Sequence, residues 1–305
     1  MSLTANISAI SRASLHDGPG SRTVVYFKGC GLRCRWCHNP ETLAGEQEIL
    51  FAPQKCIHCG RCVAICPEHH VIRGQDAEYV RSGCSHCGRC ADACPAGALT
   101  VSGKSMTAEE LMIELRKDLP YYQQTSGGVT LSGGECLLQA DFCRELLTHC
   151  RQEGIQSVIE TALFVPWAQV EKVLPLCDLF FADFKIPDPD KHRLYTGQDN
   201  RQICQNLYAL AEQVGNRLTV RIPLIPGVND SDADIAGFGG KLLPIAHLLG
   251  GIEVLRYNPM AQSKYVQSGR EYADFGQMQS DEAMLSWCKA LQNTLDHQVN
   301  VYTVL

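Results

Sequence analysis

Residues 22–28 (RTVVYFK) crowd β-branched and aromatic side chains into one short run, which reads as a buried strand. Beyond about residue 102, runs of that kind alternate with segments of helical period. The pattern predicts helix 107–117, strand 129–132, helix 138–151, strand 157–161 and helix 166–174. Further strands are expected near 179–184, 218–224 and 252–257, then a helix over 281–295 and a last short run at 299–304. Strand–helix alternation over this length predicts the α/β class: a parallel sheet covered by helices, either open or closed into a barrel.

Between those regions, residues 53–101 have neither period and are rich in Gly and Cys. They contain two similar halves offset by 28 residues, from Cys56 to Cys84, an internal duplication. The expected organisation is a first part of the α/β unit over 1–52, an inserted ferredoxin-like module over 53–101, as its cysteine spacing below indicates, and the remainder of the α/β unit over 102–305.

Composition changes this picture in one respect. Of 305 residues 45% are hydrophobic and 20% charged, as in ordinary globular chains, and the net charge of −6 offers no global field for nucleic acid or anionic lipid. Residues 1–14 lack the basic start and apolar run of a signal peptide, and no later stretch approaches the roughly 18 apolar residues of a membrane span. A cytoplasmic protein with no membrane and no nucleic-acid partner is expected. Seventeen cysteines in such a chain point to metal or redox chemistry rather than disulfides.

The cysteines fall into groups with different meanings. Cys30, Cys34 and Cys37 in KGCGLRCRWCHNP supply three thiolates and no near fourth. On a four-iron cubane that leaves one iron open to an outside molecule, an arrangement suited to catalysis; a zinc site is the alternative. Cys56, Cys59, Cys62 and Cys66-Pro67, then Cys84, Cys87, Cys90 and Cys94-Pro95, each match the bacterial ferredoxin run C-x2-C-x2-C-x3-C-P. In paired runs the fourth cysteine crosses over, so Cys94 completes the first set and Cys66 the second. Two closed cubanes serve electron transfer; two four-thiolate zinc sites are the alternative. The other six, Cys136, Cys143, Cys150, Cys177, Cys204 and Cys288, form no C-x-x-C pair and read as small apolar residues.

These motifs together resemble the radical S-adenosylmethionine (SAM) proteins, and HDGPGSRTVVYFKGCGLRCRWCHNPET resembles the opening of the glycyl radical enzyme activating family, over most of residues 14–267. The resemblance implies a partial (β/α)6 barrel with cluster and SAM at the carboxyl ends of the strands. It implies three 4Fe-4S clusters, the catalytic one on Cys30, Cys34 and Cys37 with SAM chelating its open iron, and Trp36 and His38 framing the adenosine. In TLSGGE, Gly133, Gly134 and Glu135 hold the methionyl amino group by the same resemblance; two adjacent glycines otherwise read as a turn. Cys136 stands where the family commonly has proline. Glu160-Thr161 and Asp183-Phe184-Lys185 resemble SAM-facing strand ends, where acidic groups can hold a monovalent cation; taken singly they read as solvated charges. Arg221 is a candidate for the SAM carboxylate or ribose, with a structural ion pair as its rival. Asn258 replaces a histidine common in relatives.

The function this implies is reductive cleavage of SAM to a 5'-deoxyadenosyl radical that abstracts hydrogen from a glycine of a partner enzyme. The partners implied are a glycyl radical enzyme and a low-potential electron donor such as flavodoxin or ferredoxin. Radical chemistry on a small molecule, or electron carriage alone, are the alternatives, disfavoured by the HDGPG opening and by the open three-cysteine site respectively. His16 to Gly20 reads first as a turn; with residues 261–270 it is also a candidate partner-facing loop.

Overall fold

The computed structural model describes residues 3–66 and 79–304; Pro67 of the first ferredoxin-like run lies outside the described residues. In chain order the elements are β1 (Thr4–Ser14), β2 (Arg22–Phe27), β3 (Glu48–Phe51), α1 (Arg61–Ile65), α2 (Arg89–Asp92), β4 (Leu99–Ser102), β5 (Lys104–Thr107), α3 (Ala108–Arg116) and α4 (Leu119–Thr125). Then follow β6 (Gly128–Gly133), α5 (Ala140–Gln152), β7 (Gln156–Thr161), α6 (Trp167–Glu171), β8 (Leu179–Asp183), α7 (Pro189–Thr196), α8 (Arg201–Val214) and β9 (Leu218–Leu224). The chain closes with α9 (Asp232–Leu242), β10 (Gly251–Arg256), α10 (Gln262–Ser268), α11 (Asp281–Thr294) and β11 (Val301–Tyr302).

Nine strands make one sheet in the order β11-β10-β9-β8-β7-β6-β2-β1-β5. Strands β2 and β6 to β10 run parallel to one another, giving the six-stranded core of the expected α/β partial barrel. Each successive strand lies beside its predecessor, so right-handed crossovers carry the helices to one face. There Leu111, Leu146, Leu207, Phe238 and Leu291 pack against the sheet in one continuous core. The described ends of the sheet do not pair with each other, so the barrel is open.

The strands sit where the apolar runs place them, within two residues at each end for β2 and β6 to β10. Helix starts are set by caps: Thr107 and Glu110 form a capping box for α3, Ser231 and Asp234 another for α9, and Ser280 caps α11. The terminal run expected at 299–304 shrinks to Val301–Tyr302. Strand β1 has no counterpart in the sequence reading because only Ala5 and Ile7 of its eleven residues are buried. Residues 261–270, expected as a loop, carry helix α10, closed by Gly269.

The HDGPG turn is held from beneath by Arg22, whose side chain is fully buried. Its guanidinium donates to Pro19 O at 3.1 Å, Thr130 Oγ1 at 2.7 Å, Val129 O at 2.5 Å and both Gln156 oxygens. Burial pulls the Arg22 pKa down to about 10, still charged at neutral pH. Replacing it by methionine strands several buried acceptors, and the expected loss is about 3 kcal/mol, read as a lower urea midpoint of the apo-protein.

Candidate functional site

At the carboxyl ends of the parallel strands lies a cavity of about 650 Å3. Tyr26 from β2, Ser132 from β6, Glu160 from β7, Asp183 from β8, Arg221 from β9 and Glu253 from β10 all line it. A flat run of six strands would span roughly 24 Å at about 4.8 Å each, so one cavity touching all six requires a sheet curled around it. Cys30, Cys34 and Cys37 line the same cavity, together with Trp36, His38, Gly133, Gly134, Thr161, Lys185 and Asn258. Among the candidates for the catalytic cluster and SAM, Glu135 alone does not.

The three thiols sit on the loop leaving β2. That loop is clamped to the end of α7: Arg33 N donates to Thr196 O at 2.7 Å and Arg35 N to Tyr195 O at 3.0 Å. Burial pushes the Cys30 thiol up to about 11 and the Cys34 thiol up to about 12, and it raises Cys37. Thiols so placed stay protonated at neutral pH unless cationic iron displaces the protons, and this donor set fits a cluster for that reason. Burial works against the Lys185 ammonium, but Asp183 at 2.6 Å lifts its pKa, keeping a cation beside Cys34. Leu32 N donates to Cys30 Sγ at 3.4 Å. Trp36 is buried against Tyr195 and Phe275, and His38 Nε2 bonds Asn258 O at 3.0 Å.

The glycine pair, which lines the cavity, also meets a packing requirement. A Cβ on Gly133 would lie 2.3 Å from Phe27 N, at a φ of +117°, and one on Gly134 would lie 2.2 Å from Gly29 O. The backbone of β6 therefore crosses directly against the start of the cysteine loop, where Gly134 N donates to Phe27 O and Glu135 N to Gly29 O. Glu135 turns inward. Its carboxylate accepts from Thr161 Oγ1 and Ala162 N at 2.9 Å and from Leu137 N at 3.1 Å, locking the β6 turn to the end of β7. Burial outweighs those donors and pushes its pKa up to about 7. Cys136 is fully buried beneath the turn, its Sγ toward Leu131 O and Glu160 O.

Arg221 is the centre of a buried charge group. It donates to Glu160 at 2.5 Å, to Glu253 at 2.7 Å and to His16 O at 2.6 Å, with its guanidinium 4.0 Å over the Phe181 ring. Burial opposes its charge, but the two glutamates win and raise its pKa; burial likewise pushes Glu160 up against the pull of Arg221. Strand register explains the cluster, since Asp183 pairs with Arg221 and Arg221 with Glu253. Sequence reasoning missed Asp17, Tyr26, Glu253 and Tyr257, all on the cavity wall. A charge inside the apolar run GIEVLR was the available signal for Glu253.

A second cavity, about 120 Å3, is lined by Cys56, Cys59, Cys62 and Cys94, which brings together the crossed-over set expected from the spacing. Its base is the antiparallel pair β3–β4 and the small core of Ile49, Phe51, Cys90, Ala98 and Leu99. Among the described residues no group of three or more His, Cys, Asp or Glu side chains is placed to hold a single metal ion.

Comparison with known proteins adds independent findings. Residues 81–238 match the Radical SAM superfamily, 55–98 a 4Fe-4S dicluster domain and 16–62 a 4Fe-4S single cluster domain. The chain is 41% identical over 273 residues to the (2S)-3-sulfopropanediol dehydratase activating enzyme of Klebsiella oxytoca, covering 86% of this chain and 85% of that one. It is 39% identical over 306 residues to the choline trimethylamine-lyase activating enzyme of Oleidesulfovibrio alaskensis, covering 97% of each. Among solved structures, a radical SAM methyltransferase from Sphaerobacter thermophilus shares the fold at a TM-score of 0.55 and 14% identity, over 98% of this chain and 76% of that one.

Two outcomes are expected from this geometry. Arg221→Met leaves two buried carboxyls without their cation and destabilises by about 3–5 kcal/mol in urea unfolding; adding Glu160→Gln and Glu253→Gln recovers most of that loss. Because the folded pKa of Glu135 lies above its ordinary value of 4.5, its contribution to stability is present below 4.5 and is lost as pH rises through about 7. Unfolding midpoints measured from pH 5 to 7.5 should therefore decline less steeply in Glu135→Gln than in the wild type.

Proposed function

The chain belongs to the radical SAM superfamily, among the glycyl radical enzyme activating enzymes, and from that premise we propose how its residues divide the work. When bound, the iron–sulfur cluster and SAM supply the chemistry: one-electron cleavage of the sulfonium gives a 5'-deoxyadenosyl radical, which takes a hydrogen atom from a glycine of the partner enzyme.

The protein supplies the frame. We assign Cys30, Cys34 and Cys37 to the catalytic cluster, a reading carried by their convergence on the one cavity that all six parallel strands also reach. Lys185 offsets thiolate charge there. Trp36, His38 and Asn258 bound the adenosine side, and Gly133, Gly134 and Thr161 the methionyl side. Glu135 acts on SAM only indirectly, by fixing the turn that carries the glycines. Arg221 is the positioning residue that holds Glu160, Glu253 and the backbone of His16 in one arrangement. No general base is needed, because the step at glycine moves a hydrogen atom rather than a proton.

The cavity holds the carboxyls of Asp17, Glu160, Asp183 and Glu253 against the cations of Lys185, Arg221 and Arg256, the last paired with Asp281 outside the lining. That acidic excess, facing a SAM carboxylate, supports a bound monovalent cation. Two further 4Fe-4S clusters are assigned to Cys56, Cys59, Cys62 and Cys94, and to Cys84, Cys87, Cys90 and Cys66, three clusters in all. The pairing of β3 with β4, which brings the segment out and back at one place, supports boundaries at 53 and 101. No helix among the described residues is long and apolar enough to cross a membrane. A cytoplasmic setting is supported by eleven of the seventeen cysteines falling in cluster-type motifs with the other six unpaired by disulfides. The names of the relatives support a partner among glycyl radical dehydratases and carbon–heteroatom lyases.

Reconstituted anaerobically, the wild type should hold about twelve irons per chain, and Cys30→Ala/Cys34→Ala/Cys37→Ala about eight. The triple variant should form no 5'-deoxyadenosine from SAM under dithionite. Equal iron in both, or undiminished SAM cleavage, would sink the assignment of the catalytic site.

A further inference from the structure

The two halves of the cysteine-rich segment face different surroundings. The second half is engaged by the rest of the protein. Arg81 donates to Ile49 O at 2.7 Å and to Gln267 O of α10 at 2.6 Å, and Gln47 Nε2 donates to His86 O at 2.6 Å. Cys90 is buried, and Tyr79 OH lies 3.0 Å from Cys84 Sγ. From α10 the contacts continue to the catalytic loop, through Tyr265 OH to Arg35 O at 3.4 Å and Lys264 to Asn39 Oδ1 at 2.8 Å.

The first half faces outward. Cys59 is exposed, as is its counterpart Cys87 in the second half, but around Cys59 stand Ile57, Val63 and Ile65, 63%, 43% and 44% exposed, apolar side chains with no covering element among the described residues. Residues 53–66 carry Lys55 and Arg61 and no Asp or Glu, in a chain whose net charge is −6. An acidic protein would be repelled by the net charge of the molecule and attracted to these two cations. An exposed apolar centre with a small cationic rim suits a brief, electrostatically steered encounter rather than a permanent interface.

We propose that the face formed by residues 55–65 docks a small acidic redox protein that delivers the electron for SAM cleavage. This rests on the reading that Cys56, Cys59, Cys62 and Cys94 hold an iron–sulfur cluster. One electron leaves the reduced cofactor of the donor, which is oxidised, and would be taken up by ferric iron of the cluster that these four cysteines would hold, which is reduced. No bond forms or breaks, and no proton moves. The engaged second half then lies between this face and the catalytic loop, so the electron travels inward.

The test mixes the reconstituted holoenzyme with a flavodoxin reduced to its hydroquinone and follows flavin oxidation by stopped flow, without SAM or partner enzyme. The wild-type rate should fall as salt rises, and Lys55→Glu/Arg61→Glu should slow it about tenfold at low salt. Iron and sulfide content and the dithionite-reduced electron paramagnetic resonance spectrum of that variant should match the wild type, which separates lost docking from a lost cluster. An unchanged flavodoxin rate in the variant overturns the proposal. So does slowing by Arg33→Glu/Arg35→Glu in its place, which would put the donor on the catalytic loop. A wild-type dimer in sedimentation that Lys55→Glu/Arg61→Glu dissociates would give the face to a second copy of the chain and overturn it as well. Failure of dithionite to drive SAM cleavage would instead count against the activating function, leaving this rate measurement valid.

Discussion

Charge buried at the carboxyl ends of the strands is the constraint on which the site depends. Six parallel strands each contribute a side chain to one cavity, where Arg221 and Glu253 are buried, Glu160 nearly so and Asp183 partly exposed. Such groups persist only when paired and hydrogen-bonded. Arg221 meets that need by bridging β7 to β10 and reaching the HDGPG turn, so one guanidinium ties the cavity floor to its rim. Lys185 and Asp183 repeat the arrangement on a smaller scale beside the cysteine loop. The result is a set of fixed charges needing little reorganisation when a charged ligand enters.

The thiols depend on the same frame. Their loop leaves β2 across the glycine backbone of β6, is clamped to α7 and is backed by α10, so the three thiols of this one loop face one volume. Helix α10 also meets the cysteine-rich segment through Arg81, and just beyond the helix Arg270 pairs with Glu48 of β3, whose other oxygen holds the buried Lys28 next to the catalytic loop. The iron-binding regions are thus joined through packed, hydrogen-bonded elements rather than by a free linker.

Much of this was legible in the residue order. The parallel strands announce themselves as short apolar runs because they are buried on both faces, and cysteine spacing carries its own chemistry. Strand β1 was invisible because it is half exposed near the edge of the sheet, and α10 because seven residues with two buried positions make no period. Glu135 stands next to the glycine pair, yet its side chain turns into the core to satisfy the end of β7. Which side of a turn a side chain takes is decided by tertiary partners that adjacent sequence does not contain. The Arg221 group was hidden for a related reason, since its members lie 61 and 32 residues apart and meet only through strand register.

The central claim, that the cavity generates a radical which removes hydrogen from a partner's glycine, is tested most directly by isotope transfer. A glycyl radical dehydratase or lyase that the enzyme activates would be produced with glycine deuterated at its α carbon, incubated anaerobically with the reduced enzyme and SAM, and the 5'-deoxyadenosine analysed by mass spectrometry. The account predicts one deuterium in 5'-deoxyadenosine, appearing together with a glycine-centred electron paramagnetic resonance signal in the partner. A glycine-centred signal with no deuterium in 5'-deoxyadenosine would contradict it.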